Sequence, residues 1–271
     1  MGSFDPNTDQ LLVTQEGRVA VLTFNRPDAR NALSPELSRG LREGIAWAEA
    51  DPDIGALVIT GAGKAFCSGG DVKAMGQRSD TPPPSVEAQF KELQMRHRGL
   101  SGAMVKMRKP TIAALSGAAA GAGMAIALAT DLRVAADTAF LTTGYANIGL
   151  SGDYGIAWLL TRVVGPGRAR ELLRTGDRVS ADRAESIGLV NKVVPAESLM
   201  ESSLELAHKL ANGPRVALSY IKDNLDEALN IDHITAIDRE ADRLLKSRST
   251  NDHREAVKAF AEKRAPNFTG N

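Results

Sequence analysis

Cysteine is almost missing from this chain: Cys67 stands alone among 271 residues. No internal disulfide can form, and the polar opening MGSFDPNTDQ has no apolar signal core, so a reducing, cytoplasmic setting is the expectation. Myristoylation needs a Ser or Thr where Pro6 stands. A surplus of one charge is missing too. The 33 basic and 33 acidic side chains cancel, leaving no basic field for nucleic acid and no polybasic stretch for anionic lipid. The expected partner is therefore a small ligand recognised by local complementarity, with no nucleic acid and no membrane. The histidines, His97, His208, His233 and His253, are too scattered to read as a metal site. No fixed-period repeat or low-complexity tract appears.

Long apolar runs are scarce, with one exception. Residues 111–130, TIAALSGAAAGAGMAIALAT, carry no charge and match the length of a membrane span. The stretch is mostly Ala and Gly, however, and its central glycines divide a β-like piece from a helix-like piece, so it reads as buried strand, turn and helix. Residues 18–25 (RVAVLTFN), 55–61 (GALVITG), 111–115 and 132–136 are β-branched runs that read as strands. Between the first two, Ser34 is a good N-cap, Pro35 fits the first helical position, and Leu37, Leu41, Ile45 and Ala48 form an apolar stripe. The DTPPP at 80–84 excludes helix interior or central strand and opens a polar helix around 87–107, read as a variable insertion. After Val194 the composition turns to helix formers, with helices expected over 197–211, 216–228, 231–247 and 252–263. The organisation is an α/β body over 1–195 that carries the ligand site and a helical region over 196–271.

Two glycine-rich loops follow strands: GAGKAFCSGGD at 61–71 and GAAAGAGM at 117–124. A Walker loop would need glycine at Val58, and a dinucleotide fingerprint would need Gly or Ala at Ile126, so both nucleotide motifs fail. What remains is backbone N–H groups brought close to a ligand at two helix starts, 71–75 and 124–129. Such loops either make an oxyanion hole where they meet or merely permit tight turns. The stretch NIGLSGDYGIAWLL at 147–160 sets a similar choice. Asp153 either caps the helix that follows, the commoner role for such a residue, or is a buried acid that moves a proton.

The blocks NRPDARNALS (25–34), GAGKAFCSGGDV (61–72), SGAAAGAGMAIALATD (116–131), GLVNKVV (188–194) and REAVKAFAEKRAPNFTG (254–270) together resemble the crotonase, or enoyl-CoA hydratase/isomerase, superfamily. The resemblance covers nearly the whole chain. It implies a spiral of ββα units, a C-terminal helical region that trimerises, often as a dimer of trimers, and a coenzyme A thioester as ligand, with no metal and no cofactor beyond that CoA moiety. It implies that the thioester oxygen is held by the N–H groups of Gly70 and Ala122. CoA would pass Arg30, Ser68, Asp71 and Val72, with Phe260 and Lys263 approaching from the C-terminal region. On the bland reading Asp71 caps its helix and Phe260 is core.

The departures narrow the reaction. Hydratases of the family carry two glutamates where this chain has Ala125 and Tyr145, and neither residue can activate water or manage the α-proton. Asp153 resembles the carboxylate of the 1,2-epoxyphenylacetyl-CoA isomerases, where it carries a proton, and of a 4-chlorobenzoyl-CoA dehalogenase, where it is a nucleophile. The GLSGDYG…WLL block is most similar to the first. The expectation is an acyl-CoA isomerase of fatty-acid or aromatic degradation, with Asp153 tuned by Ile148, Leu150, Ile156 and Trp158. The alternatives are a hydratase with its base elsewhere, an Asp-nucleophile hydrolase or dehalogenase, and a noncatalytic acyl-CoA or RNA-binding relative. His97, the one counterpart for the dehalogenase histidine, reads as a solvated residue on a polar helix.

Overall fold

The computed structural model describes residues 4–71 and 84–270. The helix expected at 71–75 falls mostly outside the described residues, as does Val72.

A hairpin opens the chain: β1 (Leu11–Glu16) and β2 (Val19–Phe24) pair antiparallel, Glu16 opposite Val19. Helix α1 (Pro35–Ala50) starts where the sequence places it. The Ser34 hydroxyl accepts the Leu37 N–H at 3.1 Å, and Leu37, Leu41, Ile45 and Ala48 are buried.

Then come β3 (Ala56–Gly61), β4 (Ala65–Cys67), α2 (Val86–His97), a single π-turn at Arg98–Gly102, and α3 (Ala103–Lys106). The next unit is β5 (Thr111–Leu115), β6 (Ala118–Ala120) and α4 (Ala122–Leu128). A third begins with β7 (Leu132–Ala136) and β8 (Phe140–Thr142) and leads to α5 (Ile156–Thr175), which kinks at Gly165 before Pro166. β9 (Val179–Ser180), α6 (Ala181–Ser186) and β10 (Lys192–Val194) complete the body.

The hairpin β1–β2 stays whole in one sheet, while the strand pairs β3–β4, β5–β6 and β7–β8 are each split between two sheets. The first member joins a sheet ordered β1-β2-β3-β5-β7-β10, parallel from β2 onward. The second joins a sheet ordered β4-β6-β8-β9. This is the expected ββα spiral. All six residues of β3 and all five of β5 are buried, as parallel strands covered on both faces must be. The uncharged 111–130 stretch resolves into β5, β6 and α4. Among the described residues no helix is long and apolar enough to cross a membrane.

The C-terminal helices divide by packing. α7 (Leu199–Ala211) buries Leu199, Ser203, Ala207 and Ala211, a stripe at i, i+4, and three of these join the main core. α8 (Arg215–Ala228), α9 (His233–Arg248) and α10 (Asn251–Ala261) bury few residues and present apolar side chains outward.

Candidate active site

Two loops bring Gly70 and Ala122 together. Residues 25–34 lie against the strand end at 68–70: Ser68 N–H donates to the Arg30 carbonyl at 3.0 Å, Leu33 N–H donates to the Gly69 carbonyl at 2.8 Å, and Leu33 forms a parallel bridge with Gly70. A parallel bridge uses the peptide groups on either side of Gly70 and leaves its own N–H turned away. Asn31, fully buried, ties this arm to the next turn. Its amide donates to the carbonyls of Ala62 (3.0 Å) and Ala65 (2.7 Å), and its Oδ1 accepts the Arg26 N–H.

On the second loop, Gly121 N–H donates to the Thr142 carbonyl at 3.0 Å and α4 begins at Ala122, whose N–H has no helical carbonyl four residues back. Gly123 lets α4 lie against β4, since a Cβ there would sit 2.2 Å from the Cys67 carbonyl oxygen. This close approach explains the Ala and Gly of 116–131 as packing against backbone. Gly70 and Ala122 line one cleft of about 370 Å³ with Asp71, His97, Asp153 and Tyr154.

Asp153 is not a helix cap. The residue before α5 is Gly155, no side chain caps that end, and Asp153 contributes its backbone carbonyl to Ile156 N–H at 3.0 Å. The loop is left-handed at Gly152 (φ 120), Tyr154 (φ 48) and Gly155 (φ 76), which turns the carboxylate away from the helix end. Its Oδ1 accepts a short hydrogen bond from the Tyr145 hydroxyl. The Ser101 hydroxyl, in the π-turn, donates to the Tyr154 carbonyl at 2.8 Å, and the Tyr154 ring packs on His97 with centroids 4.2 Å apart.

Burial raises the Asp153 pKa above the usual carboxylate range, opposed by the Tyr145 hydrogen bond and the charges of His97 and Arg96. Burial lowers the His97 pKa, against the pull of Asp153. It pushes Tyr154 up to about 12, and burial beside Asp153 moves Tyr145 far above the ordinary phenol range. Of the apolar residues expected to surround Asp153, Ile156 is buried, but Ile148, Leu150 and Trp158 are 52%, 51% and 46% exposed. The 3-10 turn Ala146–Ile148 runs along the surface, so desolvation comes instead from the buried Tyr145 and Tyr154.

The remaining expected residues are placed unevenly. Asp71 lines the cleft and lies 3.5 Å from the Arg26 guanidinium. Arg30 is exposed with φ 52, and Ser68 sits behind it with its hydroxyl 3.5 Å from the Ala29 carbonyl; neither lines the cleft. Phe260 and Lys263 do not line it either. Phe260 is 88% exposed, so it is not core.

His97 departs from the sequence reading. The last turn of polar α2 meets the Asp153 loop, leaving His97 half-buried with Nε2 buried and unpartnered among the described residues. Tyr145 was missed as a functional group, although its place where hydratases carry a glutamate was a signal. His97 carried only its match to the dehalogenase histidine and Tyr154 no signal at all, because their meeting depends on the tertiary approach of α2.

Fold and cleft together define a crotonase-like protein. The model of the enoyl-CoA hydratase/isomerase family matches residues 14–271, and the chain belongs to that family. It is 36% identical over 259 residues to the 1,2-epoxyphenylacetyl-CoA isomerase of Escherichia coli K12, spanning 94% of this chain and 96% of that protein. It is 34% identical over 262 residues to the short-chain-enoyl-CoA hydratase of Clostridium acetobutylicum, with the same two coverages, 94% and 96%. The crystal structure of an enoyl-CoA hydratase from Polaromonas sp. JS666 superposes with a TM-score of 0.86 at 36% identity, over 95% of this chain and 99% of the other. The relatives thus include both isomerases and hydratases.

Proposed function

We propose that the protein is an acyl-CoA isomerase. The observation that carries this reading is one carboxylate, Asp153, in the same cleft as the Gly70 and Ala122 backbone, while the two places where hydratases carry acids hold a fully buried Ala125 and a Tyr145 engaged with Asp153. The thioester oxygen accepts from the N–H groups of Gly70 and Ala122. Asp153 removes a proton from one carbon of the acyl chain, and the electron pair moves into an enolate whose oxyanion those amides stabilise. The carboxylic acid so formed returns the proton to another carbon, shifting the double bond with no net gain or loss of atoms. A raised pKa suits an acid that must both take and release a proton near neutrality. Asp71 on the cleft wall, with Arg30 and Ser68 outside that wall, forms the CoA side of the site, and α8 to α10 assemble the chain as a trimer or hexamer in the cytosol.

The test is solvent deuterium uptake into a panel of enoyl-CoAs, followed by NMR. Wild type should exchange α- or γ-protons, and Asp153→Asn should fold, bind CoA thioesters and exchange nothing. An Asn variant that retains wild-type exchange overturns the reading. Uptake by neither protein points to a noncatalytic acyl-CoA binder.

One observation favours a second reading, hydration with a base other than glutamate: the buried Nε2 of His97, unpartnered among the described residues, on a cleft-lining imidazole whose pKa burial lowers. Crotonyl-CoA hydration should be slow, below a two-glutamate enzyme by several orders of magnitude, since each acid–base group contributes about 10²–10⁴. Rapid hydration that His97→Asn abolishes would move the assignment to hydratase.

A further inference from the structure

Tyr145 bonds to one half of the site and lies beside the other, without lining the cleft. Its hydroxyl donates to Asp153 Oδ1. Its ring backs the other half: a Cβ on Gly121, the residue that delivers Ala122, would lie 3.7 Å from the Tyr145 Cζ and 3.8 Å from its Cε1. Its carbonyl accepts from Leu150 N–H at 2.9 Å and Ile148 N–H at 3.1 Å, anchoring the segment that leads to Asp153. The residue is 5% exposed, so neither ring nor hydroxyl has room to swing.

We propose that Tyr145 is the positioning residue of this site, a strut that holds the Asp153 carboxylate at a fixed distance from the loop presenting the Ala122 N–H. The inference rests on the reading of Asp153 as proton carrier. It adds a reason for tyrosine where a hydratase has an acid: the hydroxyl occupies Oδ1 and leaves Oδ2 as the oxygen that handles the substrate proton. The distance between enolate oxygen and proton acceptor is then set by one rigid ring, and proton transfer is sensitive to such placement. Burial beside Asp153 keeps the phenol protonated across the working range, so it donates throughout.

The charged and titratable groups that face Asp153 are Arg96 and His97 at the end of α2, Cys67 at the end of β4, Tyr154 beside it, and Tyr145. Of these, Tyr145 makes the hydrogen bond, and that bond lowers the Asp153 pKa from where burial alone would put it. Removing it raises that pKa. Exchange that needs ionised Asp153 then begins at higher pH.

The experiment is the pH profile of deuterium exchange for Tyr145→Phe in the full-length protein, with Asp153→Asn run alongside. Exchange should fall about 10- to 100-fold in kcat with little change in KM, and the acid limb should move to higher pH, while the melting temperature and CoA-thioester binding stay near wild type. A Tyr145→Phe protein with wild-type rate and an unmoved limb overturns the inference, as does one that loses rate and melting temperature together with the limb unmoved.

Should Tyr145→Phe fail to fold, 3-fluorotyrosine replacing all tyrosines in a Tyr154→Phe background keeps the shape and strengthens the donor. The limb should then move to lower pH, and an unmoved limb counts against the strut. If Asp153→Asn itself exchanges normally, the isomerase reading fails; if Asp153→Asn is dead and the tyrosine changes are silent, the strut alone fails.

Discussion

Asp153 was visible in the sequence because it stands between glycines, yet its role was not. Helix-cap preference argues for a cap from the neighbours in sequence, and the structure withdraws that reading because three left-handed residues carry the side chain away from α5. Its partner Tyr145 lies eight residues back, beyond any periodicity that a strand or helix supplies, so only the family pattern marked that position. The raised pKa has a consequence for stability. An Asp that holds its proton to higher pH in the folded state than in the unfolded chain stabilises fully below the unfolded value, and that contribution is lost as pH rises through the raised one. Asn cannot ionise and still accepts from Tyr145. The melting temperature of Asp153→Asn should therefore gain on wild type as pH goes from about 4 to about 8. A difference that stays constant over thermal melts in that range would show that the buried charge costs nothing.

At the scale of elements, β2, β3, β5 and β7 were legible from their β-branched runs and α1 from its cap and apolar stripe, whereas β1, as long as β2 and β3, was not. The sheet β4-β6-β8-β9 was not, since strands of two or three residues show no alternation, and the π-turn at Arg98–Gly102 has no pattern to mark it. The small residues of α4 were legible as buried but not as a close approach to β4. Two substitutions test that packing. Gly123→Ala sets a methyl 2.2 Å from the Cys67 carbonyl oxygen and 2.7 Å from its Cβ, neither at the end of a flexible chain. It should cost about 1–3 kcal/mol or more by overpacking, and a melting temperature within a degree of wild type would contradict the close approach. Read from the sequence alone, Ala125→Glu restores a hydratase acid. Ala125 is fully buried in the main core, however, and is not part of the cleft wall. A fully buried carboxylate is raised by about 3–5 pKa units, roughly 4–7 kcal/mol against the ionised form, so the variant should melt far below wild type, and further below as pH rises. A soluble Ala125→Glu protein with unchanged melting would show that this side of α4 yields to a larger side chain.

For the whole molecule the decisive feature is what the chain leaves uncovered. Along α8 and its C-cap, Ile221, Leu225 and Leu229 follow one another at four-residue spacing and are 53%, 67% and 64% exposed; on α9, Ile234, Leu244 and Leu245 are 66%, 67% and 64% exposed. Side chains at i, i+4, i+8 share one face, and exposed apolar faces of this extent are of the kind that another chain covers. The sequence showed the helices, but it could not show which apolar stripe the body would cover. α7 spends its stripe on the main core, while α8 and α9 keep theirs outward. The cover proposed above is another copy of the chain, because a closed ring pairs each subunit's two complementary faces and leaves neither open. Assembly would also give Phe260 a use: it is off its own cleft and 88% exposed, so a CoA contact of the kind the family resemblance implies would have to reach a neighbouring subunit. Light scattering at micromolar concentration should return the mass of a trimer or hexamer, and Leu225→Asp with Leu229→Asp should shift it toward monomer. Phe260→Ala should raise KM for acyl-CoA and leave kcat near wild type in the assembled protein. A monomeric mass for wild type would remove both expectations together and leave the apolar faces of α8 and α9 to a different partner.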